Sequence, residues 1–234
     1  MEQMLQKMMK RFPVFIVMGA MIVVIALIIG AVNSANAAEY YAIDKVARES
    51  STTLAATRAG VESTIIWLPY FKFLGLAMIV SGIIMALGVI ATKLQDLGKE
   101  VMASVPESAR VAIPPRPRSV MWMRLTMVLG MMIILIGFIV ALVTAANASA
   151  LFSNPITAID AAATGSPLLA QLASIHSAEA WLEAFKFVGL AFLFISIING
   201  LSTIVFALKY QQEAIPEVVD HLPADAVPAA AAGD

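Results

Sequence analysis

The stretch Trp67–Leu87, WLPYFKFLGLAMIVSGIIMAL, returns at Trp181–Leu201 as WLEAFKFVGLAFLFISIINGL. Each copy lies in a long apolar run, and another apolar run precedes each. A chain with this pattern is built twice from one two-helix hairpin. Charged residues make up 13% and hydrophobic ones 60%, whereas a soluble domain is about a quarter charged.

Four runs predict membrane spans: Pro13–Ala35, Ile65–Leu94, Val120–Ala146 and Glu179–Tyr210. Each exceeds the ~20 residues that cross hydrocarbon as a helix. Backbone N–H and C=O groups find no water in lipid, so an unbroken apolar span must be helical. The expected fold is an all-α integral membrane protein with four transmembrane helices, arranged as two parallel two-helix repeats. Residues 1–12 form an arm, 13–95 the first repeat, 96–118 a linker, 119–211 the second repeat and 212–234 a tail.

The repeat extends beyond its best-matched part. Trp67, Phe71, Lys72, Phe73, Gly75 and Ala77 match Trp181, Phe185, Lys186, Phe187, Gly189 and Ala191 at offset 114. Gly19, Met21 and Asn36 match Gly130, Met132 and Asn147 at offset 111. The second correspondence bears on the N-terminus. A basic start, an apolar stretch and Ala35-Asn36-Ala37 resemble a secretory signal. The apolar stretch is longer than the roughly 7–15 residues of a signal core. Its counterpart at Asn147 lies mid-chain, so the first run is expected to be an anchor.

Lys and Arg set the expected orientation. Lys7, Lys10, Arg11, Lys93, Lys99, Arg110, Arg116, Arg118, Arg124 and Lys209 fall on one side, against Lys45, Arg48 and Arg58 on the other. Positive residues stay inside. Both termini and the linker are therefore expected in the cytoplasm, with the protein in a bacterial inner membrane. Two connections of about thirty residues face outward and share Ala42-Ile43-Asp44 and Ala158-Ile159-Asp160. Short helices are expected there. Asn154-Pro155 and Ser166-Pro167 read as caps followed by proline at the first helical position, and Gly165 as a helix stop.

The inner segments differ in kind. Met1, Met4, Leu5, Met8, Met9 and Phe12 share one helical face of the arm, which suits a helix on the inner leaflet or an extension of the first span. Ile113-Pro114-Pro115-Arg116-Pro117-Arg118 predicts extended backbone. The Ala/Pro-rich end from Ile215 has the composition of a segment disordered by itself.

Chemistry is sparse. There is no cysteine, which excludes disulfides and thiolate metal sites. His176 and His221 fall on opposite sides of the expected membrane. No HExxH pattern, phosphate loop or Gly-x-Ser-x-Gly elbow occurs. The net charge of −1 gives no reason to expect nucleic acid as a partner. Fourteen methionines could suit copper(I), but they are spread through apolar spans without His or Cys beside them. Packing is their expected role. No catalytic, cofactor-binding or metal-binding residue is assigned.

Lys72 and Lys186 stand apart, because intramembrane charges are costly and often functional. They are candidate contacts for an anion or lipid headgroup, and snorkelling to the headgroups is the plainer alternative. Glu183 precedes Lys186 by three residues and can pair with it. Pro69 takes that place before Lys72. Small pairs Ala26/Gly30, Ala77/Ser81, Gly82/Ala86, Gly137/Ala141 and Ser196/Gly200 are candidate helix contacts. Asn199 is expected to bond across a helix interface. The leading expectation is a non-catalytic accessory subunit of a larger membrane complex, respiratory, photosynthetic or monooxygenase in kind. Its partners would be other integral subunits and lipids. The alternatives are a small transporter or lipid carrier using Lys72 and Lys186, and a membrane oxidoreductase with methionine-bound copper.

Overall fold

A computed structural model describes residues 11–107, 110, 115 and 117–221. The expected amphipathic arm at 1–10, most of the proline-rich stretch and the tail from 222 lie outside the described residues. The described chain is helical and without strands. Its elements are α1 (Phe12–Ala42), α2 (Lys45–Ser50), α3 (Thr52–Ser104), α4 (Ser119–Phe152), α5 (Ile156–Asp160) and α6 (Pro167–His221). Four of these, α1, α3, α4 and α6, are long and apolar enough to cross a membrane.

The long helices overrun the expected spans. α3 has 53 residues and α6 has 55. Ser51 starts α3 by accepting the Leu54 N–H at 3.2 Å, and the polar stretch after it contains no breaker. The helix runs on until Val105-Pro106, since proline restricts the residue before it. Both long helices hold an internal proline, Pro69 and Pro216. Each lacks an N–H for the preceding turn, a loss that packed membrane helices tolerate. The expected tail is helical as far as His221. Ala214 and Val218 there pack with Met102 in a buried cluster, so residues that read as disordered alone have an apolar surface to cover.

The connections are correspondingly short. Asp44 caps α2, accepting from Val46 at 3.0 Å and Ala47 at 3.4 Å. Asp160 instead closes α5, so the shared Ala-Ile-Asp falls at opposite ends of the two small helices. Ser166 caps α6 as a serine before proline should, accepting from Leu169 at 3.4 Å. Asn154 does not cap α5. Its amide donates back to the carbonyls of Ala150 and Leu151 at the end of α4, where unpaired carbonyls are available. Gly165 does not end α5, which stops at Asp160. Its φ of 83° instead makes the left-handed turn that delivers the chain to Ser166.

Two compact units divide the chain. One comprises 13–82 and 127–193. Within it, α1 meets α3 where Gly19 faces Gly75. A Cβ on Gly19 would stand 2.5 Å from the Gly75 carbonyl oxygen, and one on Gly75 2.8 Å from that of Gly19. α4 meets α6 in the same way. A Cβ on Gly130 would lie 2.8 Å from the Gly189 oxygen, and one on Gly189 2.6 Å from Ile134 Cγ1. Further along, Ile66, Ala145, Ala148, Leu151, Ile159 and Ile175 form a buried cluster of α3, α4, α5 and α6.

The other unit comprises 1–12, 83–126 and 194–234. Polar bonds tie its helices. The Ser196 hydroxyl donates to the Met123 carbonyl at 2.6 Å, and Ser119 and Thr203 share a bond of 2.8 Å. The Gln211 amide reaches the Leu94 carbonyl at 3.0 Å.

The glycine contacts predict a contrast. Gly189→Leu should destabilise the detergent-solubilised protein by about 1–3 kcal/mol, because the Ile134 side chain and, at 3.1 Å, the Gly130 carbonyl oxygen crowd the place of the new side chain. At Gly60 a Cβ meets nothing within 4 Å, so Gly60→Ala should be neutral or stabilising by up to about 1 kcal/mol. Thermal unfolding of both variants checks the pair, and equal behaviour would refute the crossing.

Candidate functional site

The two repeated lysines occupy different surroundings. α6 places Glu183 and Lys186 one turn apart, and their charged groups are 3.3 Å apart. The Lys186 side chain is only 12% exposed, whereas Glu183 is 75% exposed. Three rings surround the ammonium: Tyr70 at 5.7 Å, and Phe73 and Phe187 each at 5.4 Å from Nζ. The quadrupole of each ring face attracts a cation, by roughly 0.5–1 kcal/mol where exposed and more where dry. Lys186 thus has both a carboxylate and an aromatic cage.

Lys72 has neither. It is half-buried, and its Nζ would lie 3.8 Å from a Cβ on Gly30. Among the described residues no carboxylate pairs with it. The sequence accounts for the difference. Glu183 is replaced by Pro69 in the first copy, and Tyr70 by Ala184 in the second. The first copy therefore lends its tyrosine to the second copy's lysine, and the second copy has no ring to return.

An aromatic layer surrounds this point. Phe73 and Phe187, matched in the repeat, meet edge to face at 5.7 Å. Trp67 meets Phe71 edge to face at 5.7 Å, and Trp181 meets Phe185 in the same way at 5.6 Å. Gly137 makes room for the layer, since a Cβ there would be 3.4 Å from Phe185 and 3.7 Å from Tyr70.

The other expected packing residues are also placed. Gly30 is half-buried against Leu68 and Lys72, Gly82 is buried, and Gly200 packs on Leu87 and Met123. Ala26, Ala77, Ser81, Ala141 and Ser196 are at most 1% exposed. These faces are therefore covered within the chain itself. Asn199 bonds its own helix, donating to the Ile195 carbonyl at 2.9 Å. The i−4 carbonyl is always within its reach, so the amide needs no second helix.

Two further clusters were not anticipated. The tightest contacts use Gly19, Gly75, Gly130 and Gly189, which carry a sequence signal because all four are retained across the copies. In the first connection, the Arg48 guanidinium lies 5.5 Å from the Tyr40 ring and 5.2 Å from that of Tyr41. Arg58 lies 4.6 Å from the Phe152 ring. Neither arginine has a carboxylate partner among the described residues, and Arg48 Nε and Arg58 Nη1 are buried without an acceptor. Rings stack on these guanidinium groups in place of acceptors. Burial and the adjacent Glu62 carboxylate, which accepts the phenol's hydrogen bond, push the Tyr41 hydroxyl above its usual pKa. His176 lies 3.6 Å from Glu179. Among the described residues no three His, Asp or Glu side chains gather as metal ligands.

No protein-family model, curated protein or solved structure matches this chain.

The lysine environments predict small effects. Lys186→Met keeps the stem that packs on the rings and frees a carboxylate that is already mostly in solvent. Its cost should be below about 1 kcal/mol. Lys72→Met removes an unpaired charge and should be neutral or stabilising. Tyr70→Ala should cost more, about 3 kcal/mol, because a buried ring is lost. Thermal unfolding of the three variants orders these effects, and a Lys186→Met loss as large as that of Tyr70→Ala would contradict the assignment.

Proposed function

We propose that this chain is a non-catalytic integral subunit of a larger multi-subunit membrane complex, of respiratory, photosynthetic or monooxygenase kind. It lies in a bacterial inner membrane with both termini and the 96–118 linker in the cytoplasm. Its two halves are parallel hairpins, each leaving and re-entering the inner side, with α2 and α5 over the outer face. The charge asymmetry supports the orientation. The matched glycine contacts, Gly19 with Gly75 and Gly130 with Gly189, support the duplication.

One observation carries the subunit reading. α1 leaves Val14, Val17, Met21, Val24, Ile28 and Val32 uncovered, each more than half exposed. At offset 111, α4 leaves Leu125, Val128, Met132, Leu135, Ile139 and Val143 uncovered, at 46% or more. The spacing alternates between three and four residues, as in a seam that meets another helix. Lipid asks only that such positions be apolar. Four of the six pairs are identical, Val17 with Val128, Met21 with Met132, Ile28 with Ile139 and Val32 with Val143, which fits a contact surface presented twice. The carrier reading is weaker, because Lys186 is already engaged by Glu183 and three rings.

Purification in mild detergent should recover other membrane chains with this one. The triple variant Val17→Ala, Val24→Ala, Ile28→Ala should release them while the isolated fold survives, since those side chains contribute little to the chain's own core. A stable lone monomer showing turnover would overturn the reading.

The absence of natural cysteine permits a direct topology measurement. Single cysteines at Lys45 and Ala161 should react with an impermeant reagent from outside, and one at Glu107 should not. External labelling at Glu107 would overturn both the orientation and the parallel repeat.

A further inference from the structure

Gly60 lies within α3, where glycine is disfavoured relative to alanine. Close approach justifies Gly75, but nothing lies within 4 Å of a Cβ at Gly60. Gly60 opens instead on a groove of about 670 Å³ between the C-terminal half of α1 and the N-terminal end of α3. That volume falls in the range of small-molecule sites, roughly 300–1,000 Å³.

The lining is graded along the helix axis. Ile28 and Val32 form one end, Asn33 the middle, and Asn36 and Glu39 the other end, with Thr57 and Thr64 on the α3 side. Ile28 and Val32 fall within the apolar run of α1, and Asn36 and Glu39 lie just past it. An occupant must therefore be apolar at one end and hydrogen-bonding at the other. Glu39 is the only ionisable residue of the lining, and among the described residues it has no ion pair. Asn33 spends its amide on a long bond of 3.4 Å to the Val61 carbonyl. The polar end thus offers amide and hydroxyl groups that both donate and accept, together with one acid and no cation.

We infer that this groove binds the headgroup and upper chain of a lipid amphiphile whose head carries a primary ammonium. The ammonium meets Glu39 and the Asn and Thr oxygens, and the chain lies along Ile28 and Val32. A purely anionic head is disfavoured by Glu39. A quaternary ammonium has the charge but no N–H to donate. The inference stands apart from the subunit reading and survives if that reading fails.

The full-length protein in mild detergent, offered equal amounts of dioleoyl phosphatidylethanolamine, phosphatidylcholine and phosphatidylglycerol, provides the test. Native mass spectrometry reads the lipid retained. Phosphatidylethanolamine should exceed each of the others at least about fivefold, a difference of roughly 1 kcal/mol by the relation between affinity and free energy. Glu39→Gln should bring the preference over phosphatidylglycerol close to one. Gly60→Leu fills open space, so the melting temperature should hold while retained phosphatidylethanolamine falls at least about fivefold. Ala56→Leu, at an exposed lining position, decides the matter if Gly60→Leu fails to fold. Equal retention of the three lipids by the unaltered protein would overturn the inference. So would undiminished retention in the filled-groove variant. Release of a co-purifying chain by that variant, with lipid retention unchanged, would mark the groove as the seat of a partner's helix and would equally overturn it.

Discussion

Helices in hydrocarbon gain nothing from hiding apolar side chains from one another, because lipid tails are as apolar as leucine. What holds them is close contact of atoms, and contact is closest where no side chain intervenes. In this protein that condition is met where Gly19 faces Gly75 and Gly130 faces Gly189. Each carbonyl occupies the place a Cβ would need. The crossing fixes which faces of α1 and α3, and of α4 and α6, point inward. The residues that end up buried, such as Ala26, Ala77 and Ala141, all at 0% exposure, are small enough to continue the contact along the helix.

The same economy governs polar groups. Several hydroxyls and amides within the spans find acceptors inside the chain, either one turn back, as with Thr126, Thr144 and Asn199, or on a neighbouring helix, as with Ser196, whereas the buried Ser81 hydroxyl has no partner among the described residues. Each satisfied donor removes a cost of several kcal/mol, on the order of that for an unpaired group in an apolar medium. Charge is handled by aromatic rings. Lys186 sits among Tyr70, Phe73 and Phe187, and Arg48 and Arg58 sit against Tyr40, Tyr41 and Phe152. A ring can face a cation without being desolvated as a carboxylate is. Lys72 has neither ring nor carboxylate among the described residues, so the two matched lysines sit in unlike surroundings.

The helix surfaces carry the remaining information. Small residues line the tightest internal contacts, Ile134, Leu151, Leu182 and Leu193 fill the interior beside them, and further large apolar side chains such as Val17, Met21 and Val24 are left outside. The matched stripes on α1 and α4 and the graded groove beside Gly60 differ in chemistry and share Ile28 and Val32 on α1. One is uniformly apolar and repeated. The other changes from aliphatic to amide and carboxylate within a few turns, and the second copy has no matching glycine, with Ser174 at the position offset 114 from Gly60.

The number of long apolar helices and their approximate centres were legible in the sequence, because each depends only on composition and length. The glycines of the crossings were visible as residues retained in both copies. Their mutual contact was not, because periodicity gives a helix a face but no partner. Helix ends were misjudged for a related reason. Hydropathy falls at the edge of an apolar run, whereas a helix stops only where its backbone hydrogen bonds stop. Ser51, Ser166 and Pro106 set those limits well outside the spans. Asn199 was expected to bond across a helix interface and Asn154 to cap the helix after it, and they instead bond carbonyls of their own or the preceding helix, a choice settled by distances of about one turn. Which chemical groups each matched segment possesses is a matter of sequence alone. Tertiary packing decided that Tyr70 serves Lys186 and that Lys72 rests against Gly30, because only the folded chain brings residues from different helices within a few ångströms of each other.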